Sequence, residues 1–111
     1  MNKMNKPYEK DIEREIVESC KKEGAWAIKF VSPRQRHLPD RIILAPGSRL
    51  LFLEIKRPGE MPTAAQRYVL RRLIELGFDA RWTDNPERVR KWLNYEISCR
   101  TLPTSGDPFY L

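Results

Sequence analysis

The spacing of apolar positions along the chain marks seven elements. Residues 8 to 23 carry Ile12, Ile16, Val17 and Cys20 at helical spacing, and Gly24 is a good stop. "AWAIKFV" (25–31) alternates and is rich in aromatic and branched residues, so it reads as a strand. "SPRQRHLP" (32–39) is a basic loop bracketed by prolines. "DRIILA" (40–45) and "RLLFLEIK" (49–56) are strands joined by the turn "PGS". After the loop "RPGEMP", Thr63 opens a helix with Val69, Leu70, Leu73 and Ile74 on one side, and Gly77 ends it. "FDARWT" (78–83) is a fourth strand. Asp84, Asn85 and Pro86 start a last helix with Val89, Trp92 and Leu93 as its apolar face. The tail from about Ser98 reads as loop.

The order helix, three strands, helix, strand, helix predicts an α/β domain, a mixed four-stranded sheet with helices on its faces. The strand–helix–strand half is a right-handed crossover, which places the fourth strand parallel to the third. With 111 residues the expectation is a single domain over 1–111, its core at about 8–97 and its tail at 98–111.

Composition adds a partner. The chain has 21 Lys and Arg against 15 Asp and Glu, a formal net charge of +6, which favours an anionic partner such as nucleic acid. No apolar run is long enough to span a bilayer, and "MNKMNKPYEK" lacks the apolar stretch of a signal peptide, so no membrane role is expected. Cys20 and Cys99 have no metal-type spacing and suit free thiols in a reducing cytoplasm.

The candidate chemistry begins inside "FLEIKRPG". Residues two apart on a strand share a face, so Glu54 and Lys56 point the same way as Leu50 and Phe52, while Leu51, Leu53 and Ile55 point the other way. Alone, this pattern is an ordinary solvated strand end or an edge guarded by Lys. The hairpin changes the reading, because it brings Asp40 at the start of one strand beside Glu54 to Lys56 at the end of the next. Two carboxylates that close repel unless a cation bridges them, and an oxygen-rich pair suits Mg²⁺ or Mn²⁺. Lys56 beside them would orient or help deprotonate a water, or steady charge on a phosphate.

On the first helix Glu9 and Glu13 both fall within the stripe drawn by Ile12, Ile16 and Cys20, whereas Asp11, Glu15 and Glu18 fall outside it. Each of the two is either an inward carboxylate in need of a partner or metal, or a snorkelling surface group. Gln66 projects into the apolar stripe of the second helix, and Thr63-x-x-Gln66 is also a capping box. Lys29, Arg34, Arg36, Arg41, Arg57, Arg67 and Arg71 gather near this end of the sheet, as phosphate contacts or as a solvated basic surface. His37, the only histidine, has no second His or Cys nearby and makes a poor metal site.

The ordered set "IEREIVESCKKEG", "IKFVSP", "LPDRIIL", "LLFLEIKRPGEMPTAAQ" and "LGF", spanning about Glu9 to Trp82, resembles the VRR-NUC (virus-type replication-repair nuclease) family of the PD-(D/E)xK nuclease superfamily. That resemblance implies a restriction-endonuclease-like αβββαβ core with an extra C-terminal helix. It also implies a metal-dependent phosphodiesterase acting on DNA and leaving a 5′-phosphate and a 3′-hydroxyl. By the same resemblance Asp40 and Glu54 would hold Mg²⁺ or Mn²⁺ together with the backbone carbonyl of Ile55, and Lys56 would position or activate the water. Glu13 would be the first-helix glutamate, with Glu9 as the fallback, and Gln66 the glutamine that follows the ExK strand. Stand-alone members resemble structure-specific nucleases that act as dimers on branched or junction DNA, Holliday junctions included, and are similar to viral and mobile-element proteins. The implied setting is the cytoplasm of a bacterium or of a phage's host, in repair, recombination or viral replication.

The chain departs from the family's "GxPD" pattern: His37 stands where the glycine is common, and Arg34 replaces another glycine, which should stiffen the loop. Two alternatives stay open, a DNA-binding module that does not cut and an RNA-directed nuclease. The resemblance also implies a homodimer, for which Trp92, Tyr95, Phe109 and Tyr110 offer apolar surface near the C-terminus unless they simply finish the core.

Overall fold

The computed structural model, which describes residues 8–97 and 107–111, forms every expected element. In chain order these are α1 (Glu9–Lys22), β1 (Trp26–Lys29), β2 (Arg41–Ala45), β3 (Arg49–Ile55), α2 (Ala64–Glu75), β4 (Asp79–Thr83) and α3 (Pro86–Leu93). The four strands form one sheet in the order β1-β2-β3-β4. The first three are antiparallel neighbours, and β4 runs parallel to β3, as the crossover rule requires. At the β2–β3 turn, Gly47 and Ser48 both have positive φ, the backbone a tight hairpin needs.

The sheet is packed on both faces. Leu51, Leu53 and Ile55 alternate onto one face and join Ile12, Ile16 and Cys20 of α1 with Val89, Trp92 and Leu93 of α3. Each such buried aliphatic chain contributes about 1.5–3 kcal/mol, so this cluster is the main core. The thiol of Cys20 lies inside it, and burial pushes its pKa up to about 11. Cys99 lies outside the described residues.

On the other face, α2 packs over β4 through Leu70, with Ala80 and Trp82 beneath it. The β1–β2 part of this face is more open. There Trp26 is 67% exposed, and Ile28, Ile42 and Leu44 are only half-buried. Phe52 links the two parts, touching Phe30 and Phe78 at ring-centroid distances of 5.7 Å each.

Two expectations for the C-terminal region need correction. Residues 107–111 are not free loop. Phe109 and Leu111 flank the backbone of Trp82, with Trp82 N–H donating to Phe109 O and Leu111 N–H donating to Trp82 O, both at 2.9 Å. The segment thereby extends the sheet edge beyond β4. Nor do all four expected aromatics offer surface. Trp92 and Phe109 are buried in the two cores and Tyr110 is half-buried, which leaves Tyr95 exposed. Their burial has a simple cause: the edge pairing draws Phe109 under α2, and Asp79 takes the Trp92 indole N–H at 3.0 Å.

Candidate active site

The hairpin register fixes the first contact. Ile55 is the last residue of β3, and Asp40 immediately precedes β2. Asp40 Oδ2 accepts the Ile55 amide at 2.8 Å, so its carboxylate is tied to the Glu54–Ile55 peptide. Glu54 is buried, only 3% exposed, as its place on a central strand dictates. Lys56 Nζ lies 3.6 Å from Glu54 Oε2.

Gln66 meets both expectations at once. Its side-chain oxygen accepts the Thr63 amide at 2.9 Å, its own amide donates to Thr63 Oγ1 at 3.1 Å, and its side-chain NH₂ donates to Glu54 Oε2 at 3.0 Å. The capping box locks the rotamer that delivers the amide group to Glu54.

These contacts do not neutralise the site. Burial, followed by the nearby charge of Asp40, pushes the Glu54 carboxyl up to about 8, and Lys56 offsets only part of this. Burial also raises Asp40, with Glu13 adding to it and the Ile55 amide opposing it. Burial and then Asp40 raise Glu9. A group of carboxyls that resist ionisation although Lys56 and, at Asp40, Lys29 oppose it is a place where a cation fits. Asp40 and Glu54, with the Ile55 carbonyl, are hard oxygen donors of the kind Mg²⁺ or Mn²⁺ takes. Among the described residues no three His, Cys, Asp or Glu side chains form a metal cage. An open site of two carboxylates with waters and phosphate oxygens is the arrangement Mg²⁺ uses.

The two first-helix glutamates are both half-buried, as the stripe predicted, but they do different things. Glu13 Oε2 accepts from Arg41 Nε at 2.6 Å, and Arg41 also donates to Ala27 O at 3.1 Å. This pair clips α1 to β1 and β2 one residue away from Asp40. Glu9 stands in the same electrostatic neighbourhood as Asp40 and Lys56.

The basic residues divide as well. Lys29, Arg34 and Arg36 are exposed, and Arg57 is half-buried. Arg41 is engaged by Glu13, and Arg67 forms a two-pronged pair with Asp107 at 3.0 and 2.5 Å. Arg71 stands over the Phe109 ring at 5.3 Å. His37 adopts φ 64°, the left-handed conformation that favours glycine, so the loop keeps the glycine-type backbone without the glycine. That costs roughly 1–2 kcal/mol.

Sequence reasoning did not single out Asp107, which accepts from Arg67, from the Trp82 indole at 3.0 Å and from the Phe109 amide at 3.0 Å. It also passed over the buried pair Asp79–Arg81 at 3.0 Å on β4. The spacing of two between those residues was the available signal, because it puts both on the core face.

No family model matches the chain. Over 69 residues it is 44% identical to a protein named as a candidate nuclease, p44, of Acyrthosiphon pisum secondary endosymbiont phage 1, covering 62% of this chain and 74% of that protein. A solved VRR-NUC domain superposes with a TM-score of 0.71 at 18% identity, over 80% of this chain and 97% of that one. Among the described residues no helix is long and apolar enough to cross a membrane. Likeness in sequence to the phage protein, the shared fold and the ordered Asp40, Glu54, Lys56 and Gln66 converge: the chain belongs to the VRR-NUC family of the PD-(D/E)xK nuclease superfamily.

Proposed function

We propose that this nuclease is a Mg²⁺- or Mn²⁺-dependent endodeoxyribonuclease that hydrolyses phosphodiester bonds in branched or junction DNA. The observation that carries the reading is the tie from Asp40 to the Ile55 amide, which sets a second carboxyl beside buried Glu54, with Lys56 and, at Asp40, Lys29 opposing burial there only in part. Asp40, Glu54 and the Ile55 carbonyl would hold the cation, with Glu9 or Glu13 behind them. A divalent cation held there supplies Lewis acidity toward a phosphate and lowers the pKa of a bound water. Lys56 orients the attacking water and offsets charge on the phosphate. Gln66 keeps Glu54 in one orientation through its amide hydrogen bond. Lys29, Arg34, Arg36 and Arg57 are the cations best disposed to meet the DNA backbone.

A homodimer joined through the open β1–β2 face around Trp26 is part of this proposal. An exposed Trp among half-buried aliphatic side chains supports it, because an apolar sheet face left to water is a common mark of an interface. Light scattering on Trp26→Glu would show monomers where the unmodified protein shows dimers.

The test of the activity is a panel of flapped, forked, four-way and linear DNA, with matched RNA, incubated with Mg²⁺, Mn²⁺ or a chelator. The proposal expects metal-dependent cutting of branched DNA. DNA binding without any cutting favours the non-cleaving module, and preferential RNA cutting favours the RNA-directed nuclease.

A further inference from the structure

Tyr8 is 59% exposed although it stands at the entry to α1. Its backbone is fixed from several sides. Tyr8 O accepts the amides of Asp11 and Ile12 at 3.0 and 3.2 Å, and Tyr8 N–H donates to Asp11 Oδ2 at 3.2 Å. The guanidinium carbon of Arg57 lies 5.5 Å from the centre of its ring. Tyr8 directly precedes Glu9, and Arg57 directly follows Lys56, so the pair bridges the two chain segments that carry candidate site residues. An aromatic ring with a cation beside it and a large exposed surface, on a fixed helix entry, is what a nucleobase stacks on.

We propose that Tyr8, backed by Arg57, is the platform on which one unpaired base next to the scissile phosphate stacks. This rests on the reading of the site as a DNA nuclease. In a paired duplex both faces of every base are covered by neighbours. A ring on the protein can claim a face only where a flap, fork or junction has freed one. Tyr8 therefore selects substrates by an unpaired base and tolerates any base identity, since every base has a π-face. Arg57 meets the adjoining phosphate with its charge. Tyr8 is thus a specificity residue that touches the substrate away from the reacting atoms.

The test places 2-aminopurine in turn at each unpaired position of a flapped DNA and measures its emission on binding to the full chain, with Ca²⁺ in place of Mg²⁺ to restrain cutting. One position is expected to be quenched by the unmodified protein and by Tyr8→Phe, but not by Tyr8→Ala. Tyr8→Ala should bind the intact flap about ten-fold more weakly. It should equal the unmodified protein on a flap with an abasic site at that position. The platform is overturned if no position is quenched, if quenching survives Tyr8→Ala, or if the abasic site weakens both proteins alike. Cutting of the same DNA in Mg²⁺ separates the two claims. Quenching without cutting contradicts the nuclease reading alone, and cutting without quenching contradicts the platform alone.

Discussion

Glu54 and Asp107 lie on either side of Trp82 and meet opposite fates. Glu54 is its register partner across β3 and β4, and Asp107 accepts its indole N–H. Burial acts on both carboxyls. Around Asp107, hydrogen bonds from Arg67, the Phe109 amide and Trp82 outweigh burial, and its pKa is held below the usual range. Around Glu54, the second carboxyl of Asp40 adds to burial, and the pKa climbs to about 8. One carboxylate completes the fold, and the other is left in deficit of positive charge. The difference shows how a buried acid can be sorted: a structural acid is surrounded by donors, and a site acid is surrounded by competitors.

The largest expected effect breaks the contrast at the Glu54 end. Asp40→Ala and Glu54→Ala should each lower metal-dependent cleavage about a thousandfold or more, in gel assays of labelled branched DNA, while circular dichroism stays unchanged. Next comes the donor-rich side. Asp79→Ala removes a partner of buried Arg81 and the acceptor of the Trp92 indole, and should cost about 3–5 kcal/mol in urea unfolding. Asp107→Ala should cost less, about 1–3 kcal/mol, because its pair with Arg67 is partly exposed. Cleavage by the Asp107 variant should stay within a few-fold of the unmodified protein, since Gln66 keeps its own cap to Thr63.

A different kind of effect is in pH. The folded pKa of Glu54 is raised from 4.5 to about 8, so between these values the folded state holds a proton that the unfolded chain has lost. Metal-free stability should therefore fall as pH rises from about 4.5 to 8, and it should level off below that window. Raised Asp40 and Glu9 act in the same direction. Glu54→Gln should flatten the slope of Tm against pH, and a slope left unchanged would place the deficit elsewhere.

The sheet, its register and the meeting of Asp40 with Glu54 and Lys56 were legible because strand period and hairpin geometry are local rules. Gln66 was legible for the same reason, since a cap three residues long fixes where its side chain goes. The separate fates of Glu9 and Glu13 were not. Helical phase put both inward, and only the approach of Arg41, 28 residues away, distinguishes them. The docking of residues 107–111 was illegible for a similar reason. "DPFYL" has too few residues to show a period, and its place depends on Arg67 and Trp82, contacts across 40 and 25 residues. The burial of Phe109 followed from that docking, and that of Trp92 from its place in the α1–α3 core beside Asp79.

The central claim is that the deficit at Asp40 and Glu54 exists to be filled by a divalent cation. Calorimetric titration of Mn²⁺ at pH 7, in two buffers of different ionisation enthalpy, tests it most directly. With Glu54 still largely protonated at that pH, binding should release about one proton, and Glu54→Ala should lose both the binding and the release. Equal Mn²⁺ binding by Glu54→Ala, or binding with no proton released, would contradict the account.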